Sequence, residues 1–195
     1  TLVYYCTLAR EVSNPGHLIF NFTNPSGIIT QALRSCGFAN VYGICDAPSG
    51  FIKQLEEILN VPYGALDIEC YGLNHLSWFR NAKLDGRDVQ EELLNNPRTY
   101  QHSEMRLFTR EMARLSGECM LNEYLYFYYR REKSLSMVQK AEHPRGEMIY
   151  LINRELETQL AQMELPRDFE KAFNLYMNAY GKRENAYFSV ESGAR

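Results

Sequence analysis

Apolar and polar positions along this chain change period at regular intervals, and those changes mark its elements. TLVYYCTLAREV (residues 1–12) has the amphipathic spacing of a helix, broken by SNPG. HLIFNF (17–22) is a short apolar run of strand character. In TNPSG (23–27) Pro25 pushes its predecessor out of the helical region and Gly27 is free to take unusual dihedrals, so the stretch predicts a turn. IITQALRSCG returns to a helical period and stops at Gly37. NVYGIC predicts a second strand, and DAPSG turns into the helix FIKQLEEILN. This strand–turn–helix order, given twice, predicts a parallel α/β sheet with helices on its faces. Ligands of such sheets sit beyond the carboxyl ends of the strands. Both turns would lie on that edge, offering Asn24, Cys45 and Asp46 to one crevice.

Further along, DIECYGLNHLSWFRNAKLDGRDV (67–89) alternates with the period of strands, and LDGRD reads as a hairpin turn. From QEELLNN onward the pattern is helical. SEMRLFTREMARLSG is amphipathic, while NEYLYFYYRREKSLSMVQKA and RGEMIYLINRELETQLAQME read as long helices. Pro166 interrupts before DFEKAFNLYMNAYGK resumes the helical period.

Composition narrows the class. The 195 residues amount to one domain or a little more, and a 45% hydrophobic content suffices for a core. A net charge of −3 without a basic block gives no footing for nucleic acid. No apolar run is long enough to span a bilayer. The five cysteines are scattered, odd in number and without CxxC spacing, as expected of reduced thiols in a cytoplasmic protein. The chain opens on Thr1 directly into a helical pattern and stops after AYFSVESGAR without a polar tail, which reads as an internal fragment of a longer protein.

The candidate chemistry is sparse, and each residue has an ordinary alternative. Cys45 and His75 have the donor types for a borderline divalent metal in an open two-ligand site. Equally, Cys45 reads as a small buried hydrophobe and His75 as a core or turn residue. Asp46 is either an acid/base group or the N-cap of the next helix. In EYLYFYYRR (123–131), Tyr124 and Tyr128 would share a helical face. Such tyrosines usually pack, but one beside a cation could serve as a base. Arg145 in HPRGE stands where it could hold an anion or merely pair on the surface.

Taken together and in this order, NFTNPSGIITQAL, GICDAPSG, YGLNHLSWF, NEYLYFYYRREK and RGEM resemble the corresponding blocks of glycoside hydrolase family 4, and of its 6-phospho-glucosidases in particular. The resemblance spans nearly the whole chain. It implies the end of a Rossmann-like parallel sheet (1–66, the last part of an NAD-binding domain), followed by a mixed α+β, largely helical catalytic domain (67–195). It also implies a reaction outside the usual two-carboxylate scheme. NAD takes a hydride from carbon 3 of the sugar, and the resulting ketone acidifies the proton on carbon 2. A base removes that proton while a divalent metal, usually manganese, steadies the enediolate. The aglycone then leaves carbon 1, water adds, and the hydride returns.

By that resemblance Cys45 and His75 are the metal ligands, Tyr124 is the base and Asp46 assists the leaving group. Asn24, Asn74 and Arg145 contact a phosphorylated disaccharide or glucoside. A dimer or tetramer in the cytoplasm is implied. The glycine-rich dinucleotide fingerprint and the upstream substrate-contacting arginine are absent, so this stretch by itself lacks a complete NAD site. Asp46-Ala47-Pro48 leans toward the 6-phospho-α-glucosidases, whereas the longer blocks favour the β enzymes. Two rival classes stay open: a plain NAD-linked oxidoreductase acting on 2-hydroxy acids, and a non-catalytic, oligomer-forming fragment.

Overall fold

The computed structural model describes residues 1–186 and 189. Two compact units divide the chain, Thr1–Lys53 and Gln54–Arg195, and each is described by itself. The expected catalytic stretch 67–195 thus runs into residues 187, 188 and 190–195, which lie outside the described residues. No helix among the described residues is long and apolar enough to cross a membrane.

The first unit runs α1 (Leu2–Val12), β1 (Ile19–Asn21), α2 (Ser26–Ser35), β2 (Val41–Gly43) and the start of α3 (Ala47–Leu59). β1 and β2 pair in parallel, Ile19 with Val41 and Asn21 with Gly43, so the expected βαβ order is present. Cys6 of α1, Leu33 of α2, Phe38 and Val41 form the core of this unit. Asn21 organises the turn after β1. Its Nδ2 donates to Thr30 Oγ1 at 3.1 Å and its Oδ1 accepts from Thr23 N at 3.2 Å. Gly43 has to be glycine for steric reasons, because a Cβ there would meet Thr30 Oγ1 at 2.7 Å and Ser26 Oγ at 2.9 Å. One face of this small sheet leaves Phe20 and Tyr42 exposed.

The second unit is built on β3 (Leu66–Leu73), β4 (Leu76–Leu84) and β5 (Arg87–Asp88), followed by α4 (Gln90–Asn95), α5 (Thr99–His102) and α6 (Arg110–Leu115). Then come β6 (Met120–Leu121), α7 (Tyr126–Tyr129), α8 (Arg131–Lys140), α9 (Arg145–Leu160) and α10 (Phe169–Ala186). β4 is central: it pairs antiparallel with β3, β5 and β6. Phe79 on its inner face is fully buried, with Leu93, Met105 and Met120 also in the core. The LDGRD turn is as expected, with Asp85 and Gly86 both at positive φ (50° and 79°), the pattern of a tight hairpin.

Two expectations change. β6 interrupts the run read as wholly helical. The long helix expected from Asn122 is instead a 3-10 turn (Glu123–Leu125), then α7, then α8, with a break at Arg130 (φ −124°, ψ 34°). The cause is backbone pairing: Asn122 N donates to Ser77 O and Tyr124 N to His75 O, both at 3.0 Å. Residues 122–124 therefore continue the pairing of β6 alongside β4 and cannot enter an α-helix. Tyr124 and Tyr128 accordingly do not share a helical face.

Two substitutions test this framework. Gly72 sits at φ 125°, and a Cβ there would lie 2.5 Å from Leu76 O and 2.9 Å from Ser77 Cα. Gly72→Ala is expected to cost about 3 kcal/mol through backbone strain and displaced pairing, read as a lower urea midpoint. Glu56 is 1% exposed, and its Oε1 accepts from Gly64 N (2.8 Å) and Leu66 N (3.0 Å). Glu56→Ala strands the Leu66 amide in the interior and is expected to cost about 2 kcal/mol in the same measurement.

Candidate active site

In the first unit, the expected site residues lie in the turns that follow two adjacent parallel strands. Asn24 follows β1 and is exposed, and its peptide bond to Pro25 is cis. Cys45 follows β2 and is half-buried, and Asp46 beside it is exposed. Ser26 Oγ reaches both turns, with Asn21 O at 3.2 Å and Ile44 O at 3.4 Å. The connections after β1 and β2 thus lie at one sheet edge, as the strand order predicts, but they are shorter than expected: Ser26 and Gly27 already belong to α2, and Ala47 to Gly50 form the first turn of α3.

Asp46 starts α3 through its main chain, its carbonyl accepting from Gly50 N at 2.7 Å. Its carboxylate Oδ1 accepts from Cys45 Sγ at 3.9 Å. All five cysteines are outside any disulfide.

The second unit holds the other group. Asn74 and His75 form the two-residue turn between β3 and β4, closed by the Leu73–Leu76 pair. His75 takes the left-handed conformation (φ 62°), uncommon for a residue with a side chain. That backbone swings the imidazole toward the chain leaving β6. Tyr124 stacks on the ring, with centroids 4.9 Å apart and planes 25° from parallel. Glu123 Oε1 bonds to His75 Nδ1. Of the expected residues here, His75 and Tyr124 are therefore in direct contact and Asn74 is their neighbour on the turn. Arg145, half-buried, is the first residue of α9.

Behind this pair runs a buried polar network. Ser77 Oγ donates to Asn122 Oδ1 at 3.2 Å, and Asn122 Nδ2 donates to Glu104 Oε2 at 2.5 Å. The Glu104 carboxyl neighbours that of Glu123. Ser77, Asn122 and Glu123 are 2%, 0% and 3% exposed. Two carboxyl groups this close and this buried cannot both be charged. Burial first, and the Glu123 charge next, push the Glu104 carboxyl up to about 9, so it keeps its proton at neutral pH. Burial also opposes the charge on Glu123, but its interactions with His75 and Glu104 outweigh it and hold its pKa below the ordinary carboxylate value. The negative charge of the pair thereby rests on Glu123, beside His75.

Sequence reasoning missed Glu123, Glu104 and Asn122. One signal was available: Asn122 and Glu123 are polar residues inside the apolar run CMLNEYLYF, which marks a buried polar pair in need of partners. A helical reading of that run assigns them to solvent.

Known proteins resemble the chain in sequence and in fold. Over 172 residues the chain is 27% identical to the 6-phospho-beta-glucosidase BglT of Thermotoga maritima, covering 86% of this chain and 40% of that protein. It is 30% identical over 178 residues to an alpha-galactosidase of Rhizobium meliloti, covering 86% of this chain and 36% of that one. The chain therefore spans about two fifths of the length of the curated relatives it matches. A crystal structure of the Thermotoga maritima 6-phospho-beta-glucosidase with manganese, NAD+ and glucose-6-phosphate superposes with a TM-score of 0.64 at 25% identity. It covers 97% of this chain and 43% of that one. Residues 70–191 match the model of the family 4 glycosyl hydrolase C-terminal domain, and by that match the chain belongs to glycoside hydrolase family 4.

Proposed function

We propose that this chain is part of a cytoplasmic glycosidase that hydrolyses 6-phospho-β-glucosides with NAD and a divalent metal, manganese. The contact of His75 with both Glu123 and Tyr124 is the observation that carries the reading. It gives one cluster a metal-ligand type, a carboxylate that orients it and a phenol that can exchange a proton. Relatives that bind manganese, NAD+ and glucose-6-phosphate support the same assignment. In this reading residues 1–66 complete a dinucleotide-binding domain and residues 67–195 form the catalytic domain.

The donor set fits a divalent metal. Cys45 is half-buried and outside any disulfide, and His75 Nδ1 bonds to Glu123, so Nε2 is the nitrogen proposed to coordinate. Among the described residues no group of three or more His, Cys, Asp or Glu could hold an ion. The assigned ligands are two, Cys45 and His75, and substrate oxygens or water would complete the shell. When bound, NAD supplies reversible oxidation of the sugar and the metal supplies Lewis-acid polarisation of its oxygens.

The chain's own residues then have separate tasks. Tyr124, acting as its tyrosinate, accepts the proton from carbon 2 of the sugar and becomes the neutral phenol. Its ring is held against His75, so the phenol cannot swing away from that position. Asp46 assists departure of the aglycone oxygen from carbon 1. Asn24 and Asn74, both exposed on turns, and Arg145 at the start of α9 bind the substrate, the arginine being suited to its phosphate. Five cysteines outside any disulfide support a reducing compartment. Exposed Tyr150, Phe173 and Tyr176 on α9 and α10 support assembly into a dimer or tetramer. The 6-phospho-α-glucosides are the second reading, favoured by Asp46-Ala47-Pro48 after the cysteine.

Two experiments on the full-length protein test the proposal. Assays with p-nitrophenyl 6-phosphoglucosides of both anomers, under reducing conditions, are expected to show hydrolysis only with both NAD and Mn²⁺, greater for the β anomer and absent in Cys45→Ser. Hydrolysis without NAD, or full activity in that variant, would reject the reading; preference for the α anomer would select the second one. Tyr124→Phe keeps the ring stack but loses the phenol. It is expected to lower kcat about 10²–10⁴-fold and to abolish deuterium uptake from solvent at carbon 2 of the product, with Mn²⁺ binding retained. Unchanged deuterium uptake would remove Tyr124 from the base role.

A further inference from the structure

We infer that Glu123 is a positioning residue: it holds the His75 imidazole with the proton on Nδ1 and so presents Nε2, and no other ring nitrogen, for coordination. The inference rests on the proposed role of His75 as a metal ligand, and it assigns the group that makes that role possible.

Four constraints act on one ring. The left-handed backbone at His75 sets the direction of the side chain. Its carbonyl accepts from Tyr124 N at 3.0 Å, which ties the hairpin turn to the chain after β6. Tyr124 covers a face of the ring. Glu123 Oε1 then bonds to Nδ1. A carboxylate only accepts, so Nδ1 must donate, and this sets the tautomer. A neutral histidine in water carries its proton mainly on Nε2, the opposite arrangement, so the carboxylate has a specific effect to exert.

Glu123 is itself immobilised. It sits in the 3-10 turn directly after β6, next to fully buried Asn122, and neighbours Glu104. Glu104 in turn takes a 2.5 Å hydrogen bond from Asn122, whose side chain accepts from Ser77 two residues along the same strand pair as His75. The loop of contacts leaves His75 by the backbone of β4 and returns to it through Ser77, Asn122, Glu104 and Glu123. Carboxylate partners of this kind orient metal-binding imidazoles and raise their basicity, and their loss typically costs 10–100-fold in metal affinity.

The test combines a tautomer measurement with metal binding, both on the full-length protein. Nitrogen-15 shifts of the His75 ring, in the metal-free protein above the titration of imidazole, are expected to show Nδ1 protonated and Nε2 unprotonated. The reverse tautomer in the wild type overturns the inference without recourse to any variant. In Glu123→Gln the ring is expected to shift toward the Nε2-protonated form, and Mn²⁺ affinity, followed by the electron paramagnetic resonance of free Mn²⁺, to fall about 10–100-fold. A Glu123→Gln protein with wild-type tautomer and affinity also overturns it. His75→Ala separates the two levels of the argument. If that variant loses Mn²⁺ and Glu123→Gln does not weaken it, the positioning role fails while the metal reading stands. If His75→Ala binds Mn²⁺ as the wild type does, the metal reading fails and takes the coordination half of the inference with it.

Discussion

A buried negative charge on Glu123 governs the arrangement of the second unit. An ionised carboxylate that is 3% exposed is tolerable only when its partners replace the water it has lost. The His75 imidazole bonds one of its oxygens, and the neighbouring Glu104 carboxyl, whose pKa burial and the Glu123 charge push up, stays neutral beside it. Each partner comes from a different element: His75 from the β3–β4 turn, Glu104 from the turn of 3-10 helix spanning Glu104–Leu107, and Glu123 from the chain after β6. Satisfying the one charge therefore requires all three elements to be in place together. A network of this kind favours a single arrangement because its partly satisfied alternatives strand buried polar groups.

β4 makes that convergence possible. It is the only strand of its sheet, among the described residues, with three partners. Its inner face carries Phe79, fully buried, which anchors it in the core. The residue preceding Phe79 by two, Ser77, begins the polar network, so the apolar anchor and the polar relay alternate along one strand face. Gly72, opposite Ser77 in the register, lets β3 come close enough to close the turn that displays Asn74 and His75. Position and chemistry of the imidazole thus follow from ordinary sheet rules with one glycine exception.

The parts legible in the sequence were those set by local rules. Helices α1 and α2 follow from period and from the Pro and Gly residues after them, and α3 from period, although it starts at Ala47, inside the stretch read as a turn. The βαβ order follows from alternation of short apolar runs with helical ones, and the Asp85-Gly86 turn from its residues. His75 and Tyr124 were nameable only as isolated candidates, and the family resemblance joined them. Glu123 was not legible as a functional residue. Its role depends on Asn122 and Tyr124 pairing with β4, a contact across almost fifty positions that no window of the sequence displays. The same contact is why an aromatic run with good helical spacing begins instead as a 3-10 turn. Local propensity yielded there to backbone hydrogen bonds whose loss would leave buried amides unpaired.

Adjacent residues on such a turn diverge by about 120°, and this explains how Glu123 and Tyr124 can serve one ring. The first bonds to a nitrogen of the imidazole and the second stacks on its face. Under the proposed function, the metal ligand and the base are consequently set relative to each other by two neighbouring residues and one hairpin turn, all within the second unit. Cys45 and Asp46 belong to the first unit and are set by a different rule, their place after a parallel strand. By the resemblance, the preference for α or β substrates varies with the residue after the metal-binding cysteine. Under the same proposal, Asp46 acts on the leaving group and Tyr124 on the proton at carbon 2, so the two tasks are assigned to segments shaped by different local rules.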